Sequence, residues 1–252
     1  MRPEAVKRML RYVRSFQVEE DTRFDYARVR KQLTFDALSQ GVYYAFNNGL
    51  EGHIAEFGTA SGFSALTIAH AMAHYAQFFA DFADAGAPAA KRLFLFDSFK
   101  GLPPSRHDVD LQSPYVRSGR WGAESYAGLT RAELEVVLAS VYPRDHLSFF
   151  EGWFSDTLPT IPEGTRFCMV HLDCDLYAST REVLDHLFSN GMVAEGAVLF
   201  FDDWNCNRSS PRLGQRRAWR EVVDKFKLEH TDCGEYGILS RKFIVHGTSP
   251  AT

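Results

Sequence analysis

Short apolar segments recur along this chain, each ending near a glycine or an acidic residue and each followed by an amphipathic stretch. Strands buried in a parallel sheet are continuously apolar, whereas helices that cover such a sheet are apolar on one side only. The alternation therefore predicts an α/β domain with a mainly parallel sheet. The predicted strands are His53–Phe57, Arg92–Phe96, Leu147–Phe150, Phe167–Leu172, Ala197–Phe201 and a terminal pair around Leu228–Thr231 and Gly237–Val245.

Amphipathic stretches between these strands supply the helices. The predicted helices run from Gly62 to about Phe82, from Thr130 to Val141, over Ser179–Phe188 and from about Arg212 to Phe226. Apolar residues at helical spacing over Val6–Val13 and Leu33–Val42 predict an N-terminal helical extension, residues 1–50, ahead of one domain over residues 51–252. The segment from about residue 98 to 128 is rich in glycine and proline and has no period, which is typical of lids, binding loops and disordered stretches. We predict a lid there.

Composition excludes several classes of partner. A net charge of -4 with 24% charged residues gives no basic surplus, so we expect no nucleic-acid binding. The most apolar long stretch, Ala69–Ala90, is interrupted by polar and charged residues, and Met1–Glu4 leads into no uninterrupted hydrophobic region, so we expect neither a membrane span nor a signal peptide. Four scattered cysteines indicate neither a disulfide framework nor a zinc site, and a cytoplasmic location is expected.

The first candidate site is the turn Glu56–Gly62, which follows one predicted strand and precedes a predicted helix. Its glycines let the backbone approach a ligand, and the helix N-terminus offers unpaired N–H groups. The spacing is G-x-x-x-G, so it lacks the G-x-G-x-x-G of a dinucleotide-binding turn and the lysine of a P-loop. We predict a ligand-binding turn, the alternative being a helix start that binds nothing.

Two further candidates follow the next two strands. Asp97 ends the second strand, where a carboxylate accepts hydrogen bonds from ribose hydroxyls, although an acid there is equally suited to cap the following turn. Trp153 follows the third strand, where an indole stacks on a planar ligand or belongs to the core.

Acidic residues end the fourth and fifth predicted strands. Asp173 follows the fourth strand, and Asp202 and Asp203 follow the fifth. If these strands are parallel neighbours, all three carboxylates emerge at the sheet edge where open α/β sheets bind ligands. Crowded carboxylates repel one another unless a cation lies among them, and oxygen ligands favour a hard ion such as Mg²⁺. The alternative is that each aspartate caps a helix or makes a turn.

Five segments, in this order along the chain, resemble those of the macrocin O-methyltransferase family. That family comprises S-adenosylmethionine-dependent enzymes of the class I methyltransferase fold that methylate sugar hydroxyls in antibiotic pathways. The segments, which span about Gly52 to Trp204, are Glu56-Phe57-Gly58 with Gly62, Asp97-Ser98-Phe99-Lys100-Gly101-Leu102-Pro103, Gly152-Trp153-Phe154-Ser155-Asp156-Thr157-Leu158-Pro159, Leu172-Asp173-Cys174-Asp175-Leu176-Tyr177-Ala178-Ser179-Thr180 and Asp202-Asp203-Trp204.

The resemblance implies a Rossmann-like, seven-stranded, mostly parallel sheet with an antiparallel last strand and helices on both faces. It implies that S-adenosylmethionine is bound by Glu56, Gly58, Thr59, Gly62, Asp97, Ser98, Gly152 and Trp153. It also implies that Mg²⁺ is bound by Asp173, Asp202 and Asp203. In this mechanism Asp173 accepts the proton of the acceptor hydroxyl, with Asp175 and His107 as alternatives. The implied acceptor is a small molecule, a sugar or another vicinal diol, and a homo-oligomer is expected.

Departures from the family pattern lie near the metal and acceptor positions. Family members often have Gly where this chain has Cys174 and Tyr where it has Trp204, and residues 208–215 match no family segment. The identity of the acceptor is therefore what the resemblance predicts least. An NAD(P)-dependent oxidoreductase and a non-catalytic cofactor-binding subunit are the rival hypotheses, since the strand alternation is common to all three.

Overall fold

The computed structural model of the protein describes residues 26–82 and 90–248. Within them, seven strands form one sheet in the order β3-β2-β1-β4-β5-β7-β6. The first six strands run parallel, and β7 lies antiparallel between β5 and β6. The strands are β1 His53–Phe57, β2 Leu93–Asp97, β3 Leu147–Glu151, β4 Phe167–Leu172, β5 Val193–Phe201, β6 Leu228–Glu235 and β7 Arg241–Thr248. The predicted seven-stranded class I arrangement is confirmed.

Helices connect all consecutive strands except β6 and β7, and within the described residues one helix precedes β1. They are α1 Tyr26–Asn47, α2 Phe63–Phe82, α3 Asp108–Leu111, α4 Pro114–Arg117, α5 Arg131–Ala139, α6 Phe154–Thr157, α7 Tyr177–Ser189 and α8 Gly214–Phe226. Single 3₁₀ turns cover Arg144–His146, Leu158–Thr160 and Asn207–Ser209. The predicted helix at Val6–Val13 lies outside the described residues. No helix in the described ranges is both long enough and apolar enough to cross a bilayer.

The core has two layers because successive side chains of a strand point to opposite faces of the sheet. On β5, Phe200 packs in one layer with Leu38 of α1 and Leu66 of α2. Its neighbour Phe201 packs in the other layer with side chains of α7 and α8, including Trp219. Helices therefore cover both faces, as predicted, and pack against the central strands.

The predicted ends of some elements were wrong, each for a local reason. The predicted last strand began at Gly237, but Gly237–Ser240 is a turn in which Tyr236 N–H donates to the Ser240 carbonyl at 3.2 Å. The preceding strand β6 continues to Glu235, beyond the predicted end near Thr231. The prediction stopped short because this edge strand is polar and has no apolar pattern to mark its end. Thr130 is the cap of α5 rather than its first residue, and a capping box with Glu133 fixes that start.

Candidate active site

A cavity of about 370 Å³ lies at the carboxyl ends of β1 to β4. The strand order changes direction here, between β1 and β4, and such switch points are where open α/β sheets bind ligands. Each of the four strands contributes wall residues, and a segment of the 98–128 loop closes one side. Among the lining residues are Gly58, Ala60, Asp97, Ser98, Ser125, Tyr126, Gly152, Trp153, Asp173, Asp175, Ser179 and Glu182.

The turn after β1 needs glycine at its first position. Gly58 has φ +90°, and a Cβ built there would lie 1.9 Å from the carbonyl oxygen of Asp173. Gly62, with φ +74°, closes the turn by donating its N–H to the Thr59 carbonyl. The β1 backbone therefore touches the backbone of the β4 end, and Gly58 itself lines the cavity.

Asp97 holds this turn in place. Its Oδ2 accepts hydrogen bonds from Thr59 N at 2.6 Å, from Thr59 Oγ1 at 3.0 Å and from Ala60 N at 3.1 Å. Its Oδ1 accepts one bond, from Phe99 N at 2.6 Å. Because a carboxylate has about four acceptor positions, Oδ1 retains capacity for a ligand on the cavity wall. The capping alternative thus describes part of the role of Asp97.

Of the other predicted cofactor residues, Gly152, Trp153 and Ser98 line the cavity and Thr59 does not. Gly152 and Trp153 follow β3 on the cavity wall, and the indole of Trp153 is 36% exposed. Ser98 also lines the cavity, but its hydroxyl is engaged in the turn, donating to Gly101 O at 2.8 Å. Thr59 is buried behind the turn and does not line the cavity.

Glu56 lies beneath the cavity rather than on its wall. Its Oε1 lies 2.9 Å from Nδ1 of His171, and both side chains are fully buried. Burial alone would lower the pKa of His171, but the hydrogen bond and charge of Glu56 raise it to about 9. A buried ion pair therefore joins β1 to β4 two residues before Gly58 and Asp173, and direct cofactor binding by Glu56 stays a prediction.

The three predicted metal ligands converge as expected. Carboxylate oxygens of Asp173, Asp202 and Asp203 lie within 4.8 Å of one another. Burial, and then the charges of neighbouring carboxylates, raise the pKa of Asp173, Asp175 and Asp203 well above the ordinary value. The cluster thus holds negative charge at a cost that a cation would offset.

Only two of the three carboxylates are engaged by protein groups in the described residues. Asp202 Oδ2 accepts from Arg30 Nη2 at 2.8 Å and its Oδ1 from Ser240 Oγ at 3.1 Å. Asp203 Oδ2 accepts from the backbone N–H of Asp175 at 3.1 Å. For Asp173, the described part of the chain offers no hydrogen bond to the carboxylate, which faces the cavity. An oxygen-only donor set with one unengaged carboxylate fits a hard divalent cation.

Sequence reasoning missed two residues that position this site, Gln215 and Arg30. Gln215, which is 1% exposed, accepts from the N–H of Asp203 at 3.0 Å and donates to the Leu172 carbonyl at 3.1 Å, joining the ends of β4 and β5. Arg30 comes from α1, 172 positions before its partner. No local pattern marks either residue, because each acts only through contacts made by folding.

The 98–128 loop is anchored, not free. Buried Asp110 accepts hydrogen bonds from the first N–H groups of α7, Tyr177 N at 2.8 Å and Ala178 N at 3.0 Å. His107, an alternative proton acceptor in the sequence analysis, caps the short helix α3 through Nδ1 and does not line the cavity. That the loop is a lid stays a prediction.

Comparison with known proteins decides the family. The sequence model of the macrocin-O-methyltransferase (TylF) family matches residues 21–231. The chain belongs to the macrocin-O-methyltransferase family. It is therefore an O-methyltransferase, and the predicted family is confirmed.

Individual relatives agree with this family assignment. The chain is 29% identical over 218 residues to the 8-demethyl-8-(2,3-dimethoxy-alpha-L-rhamnosyl)-tetracenomycin-C 4'-O-methyltransferase of Streptomyces olivaceus, covering 84% of this chain and 70% of the relative. It is 33% identical over 140 residues to the demethyldecarbamoylnovobiocin O-methyltransferase of Streptomyces niveus, covering 54% of this chain and half of that protein. The structure of the O-methyltransferase NovP superposes with a TM-score of 0.65 at 21% identity, covering 86% of this chain and 80% of that chain, which shows the shared fold.

Proposed function

We propose that this macrocin-O-methyltransferase family member transfers the methyl group of S-adenosylmethionine to a hydroxyl of a sugar or another vicinal diol on a natural product, with Mg²⁺ held by Asp173, Asp202 and Asp203. The observation that carries the proposal is the Asp173 carboxylate. It lies on the cavity wall beside two further carboxylates and, in the described part of the chain, accepts no hydrogen bond. The relative from Streptomyces olivaceus is named for a rhamnosyl-bearing substrate, which supports the acceptor class.

Several residues that line the cavity support S-adenosylmethionine as its ligand. Gly58 and Ala60 expose backbone where the methionine part would lie, and Oδ1 of Asp97 has acceptor capacity for a ribose hydroxyl. Trp153, half-exposed after β3, offers an indole face to a planar adenine. These three contacts follow successive strands β1, β2 and β3, so one extended ligand can reach all of them and end near Asp173 of β4.

Asp173 is the group that we assign to the proton. A general base has to reach the proton that it accepts and needs a pKa near the working pH. Without metal, burial and the neighbouring charges of Asp202 and Asp203 raise the pKa of Asp173, and its carboxylate lies on the cavity wall. The hydroxyl proton passes to the Asp173 carboxylate, the acceptor oxygen bonds to the methyl carbon, and the carbon–sulfur bond breaks. The products are the methyl ether and S-adenosylhomocysteine.

A metal ion held by the aspartates would activate and orient the acceptor hydroxyl. When bound, Mg²⁺ lowers the pKa of an oxygen that contacts it and orients the acceptor. Gln215 and Ser240 would keep the two β5 carboxylates in place, since each bonds the backbone at the end of β5 as well as a second group. Such supporting hydrogen bonds commonly determine how well a site binds its metal.

Calorimetric titration of S-adenosylmethionine, and separately of NAD, into the purified chain tests the proposal, each with and without Mg²⁺. We expect S-adenosylmethionine to bind and NAD not to bind. S-adenosylhomocysteine formation is then followed with a panel of glycosides and diols, for the wild type, for Asp203→Asn and for the control Asp145→Asn, an exposed residue far from the cavity. Turnover should fall in Asp203→Asn alone. Tighter binding of NAD than of S-adenosylmethionine would contradict the cofactor assignment, and full turnover in EDTA would contradict the metal assignment.

A further inference from the structure

An arginine from the first turns of α1 reaches the carboxylate cluster. Arg30 Nη2 lies 2.8 Å from Asp202 Oδ2, and the Arg30 side chain is 44% exposed whereas that of Asp202 is 5% exposed. Burial alone would lower the pKa of Arg30, but attraction to Asp202, Asp173 and Asp203 raises it, so the guanidinium is always charged there. One positive charge thus already lies against a proposed metal ligand.

The contact with Arg30 affects whether Asp202 can bind a metal ion. Both of its oxygens have protein partners, Arg30 on Oδ2 and the Ser240 hydroxyl on Oδ1. The Ser240 hydroxyl also lies 2.9 Å from the main-chain oxygen of Asp202, so it has a bonding position that leaves Oδ1 free. The Arg30 guanidinium cannot remain beside Asp202 in the same way, because its fixed positive charge repels any cation that binds the same carboxylate. Its half-exposed side chain can instead move out into water.

We propose that Arg30 is the resident counter-cation of the cluster and competes with the divalent cation for Asp202, so that metal binding releases Arg30 from the sheet edge. The inference rests on the proposed metal site. Competition of this kind is reciprocal. The contact between Arg30 and Asp202 lowers the affinity for Mg²⁺, and bound Mg²⁺ weakens that contact between α1 and the end of β5 by the same free energy. Without metal, Arg30 stabilises the clustered carboxylates; with metal, it is no longer needed there.

The direct test is Mg²⁺ titration by calorimetry into the full chain, freed of metal with EDTA. We compare wild type with Arg30→Gln, which removes the charge, and with Arg30→Lys, which keeps it. Lys225→Gln is the matched control, since Lys225 is 47% exposed and pairs with Asp185 at 3.0 Å on a surface away from the cluster. We expect Arg30→Gln to bind Mg²⁺ about tenfold more tightly, a change equivalent to about 1.4 kcal/mol. Arg30→Lys and Lys225→Gln should stay near the wild-type affinity.

Thermal unfolding supplies a second readout that does not depend on turnover. In EDTA, Arg30→Gln should unfold at a lower temperature than wild type, because the carboxylates lose their counter-charge. In saturating Mg²⁺ the difference should vanish or reverse. A residue that only packs α1 against the sheet would lower the unfolding temperature equally in both conditions.

The outcomes separate this inference from the proposed function. Equal or weaker Mg²⁺ affinity in folded Arg30→Gln, with wild type binding normally, overturns the competition while leaving the metal site intact. Binding of S-adenosylmethionine with no Mg²⁺ binding in either protein overturns both the competition and the metal assignment but not methyl transfer. Mg²⁺ binding in Arg30→Gln that is tighter than in wild type supports the inference.

Discussion

At the scale of single residues, Asp173 differs from its two neighbours in what touches its carboxylate. Asp202 and Asp203 are each bonded to protein groups, whereas within the described ranges Asp173 is influenced by burial and charge alone. Asp173 is only half-buried, and its carboxylate on the cavity wall has no hydrogen-bond partners among the described protein groups. Its lack of them, together with its place on the cavity wall, indicates a role toward a ligand.

Asp173→Asn therefore tests the proton-accepting role. The amide keeps the size of the carboxylate but cannot accept the proton, so we expect turnover to fall by about 10²- to 10⁴-fold. S-adenosylmethionine affinity, measured by calorimetry, should change little because the predicted cofactor contacts lie on the other strands. S-adenosylhomocysteine formation gives the rate, and Asp145→Asn is again the control. A variant that retains most of its turnover would show that another group takes the proton.

Gly58 provides a second residue-scale prediction, with a control in the same chain. Gly58→Ala places a Cβ against the Asp173 carbonyl and imposes φ +90° on alanine, so we expect a loss of about 3 kcal/mol or more in the free energy of unfolding. Gly119→Ala at φ +77° has nothing within 4 Å of the new Cβ and should lose only about 1 kcal/mol. Urea unfolding of the two variants measures the difference. Similar losses in both would mean that the turn can move away from β4.

At the scale of elements, the 98–128 loop is held by the helix that follows β4. Asp110 accepts hydrogen bonds from the N–H groups at the start of α7, and carboxylates there also interact favourably with the helix dipole. Burial raises the pKa of Asp110, an effect that the two backbone hydrogen bonds oppose. Asp110 therefore connects the loop to α7, the helix that also supplies the cavity-lining residues Ser179 and Glu182.

Asp110→Ala should loosen the contact between the 98–128 loop and α7. Two helix N–H groups lose their acceptor, so we expect a loss of about 1–3 kcal/mol in stability. We also expect faster amide exchange and faster proteolytic cleavage within residues 98–128. Thr130→Ala removes the exposed cap of α5 and should cost about 1 kcal/mol without affecting the loop. If both variants expose the loop to protease equally, Asp110 is not its anchor.

The elements also show what the sequence could predict. The predicted bounds of β1 and β4 match the observed ones, because strands buried on both faces are mostly apolar, even though Glu56 and His171 interrupt these two. Asp173, Asp202 and Asp203 could be placed together because parallel neighbours share an edge. The polar end of β6 and the contact from Arg30 to Asp202 had no such signal. The first belongs to an edge strand, and the second joins positions 172 residues apart.

At the scale of the whole molecule, the acidic cluster should link stability to pH and to metal. Burial and neighbouring charge raise the pKa of Asp173, Asp175 and Asp203 in the folded chain, so the folded state binds more protons than the unfolded state above the ordinary carboxyl pKa. Stability contributed by these groups is therefore lost as pH rises through the raised values. Mg²⁺ binds the deprotonated cluster and should restore stability in the same range.

We therefore expect the unfolding temperature in EDTA to decline as the pH rises above the ordinary carboxyl pKa, and the stabilisation by Mg²⁺ to grow over the same range. Thermal unfolding at a series of pH values, with EDTA or with Mg²⁺, measures both trends. Asp203→Asn should flatten the decline, because one raised carboxyl is removed, and should reduce the gain from Mg²⁺. Asp145→Asn, at an exposed site, should reproduce the wild-type curves. A metal-free protein whose stability rises with pH would contradict this prediction, because it would mean that Arg30 and His171 compensate the whole charge of the cluster rather than part of it.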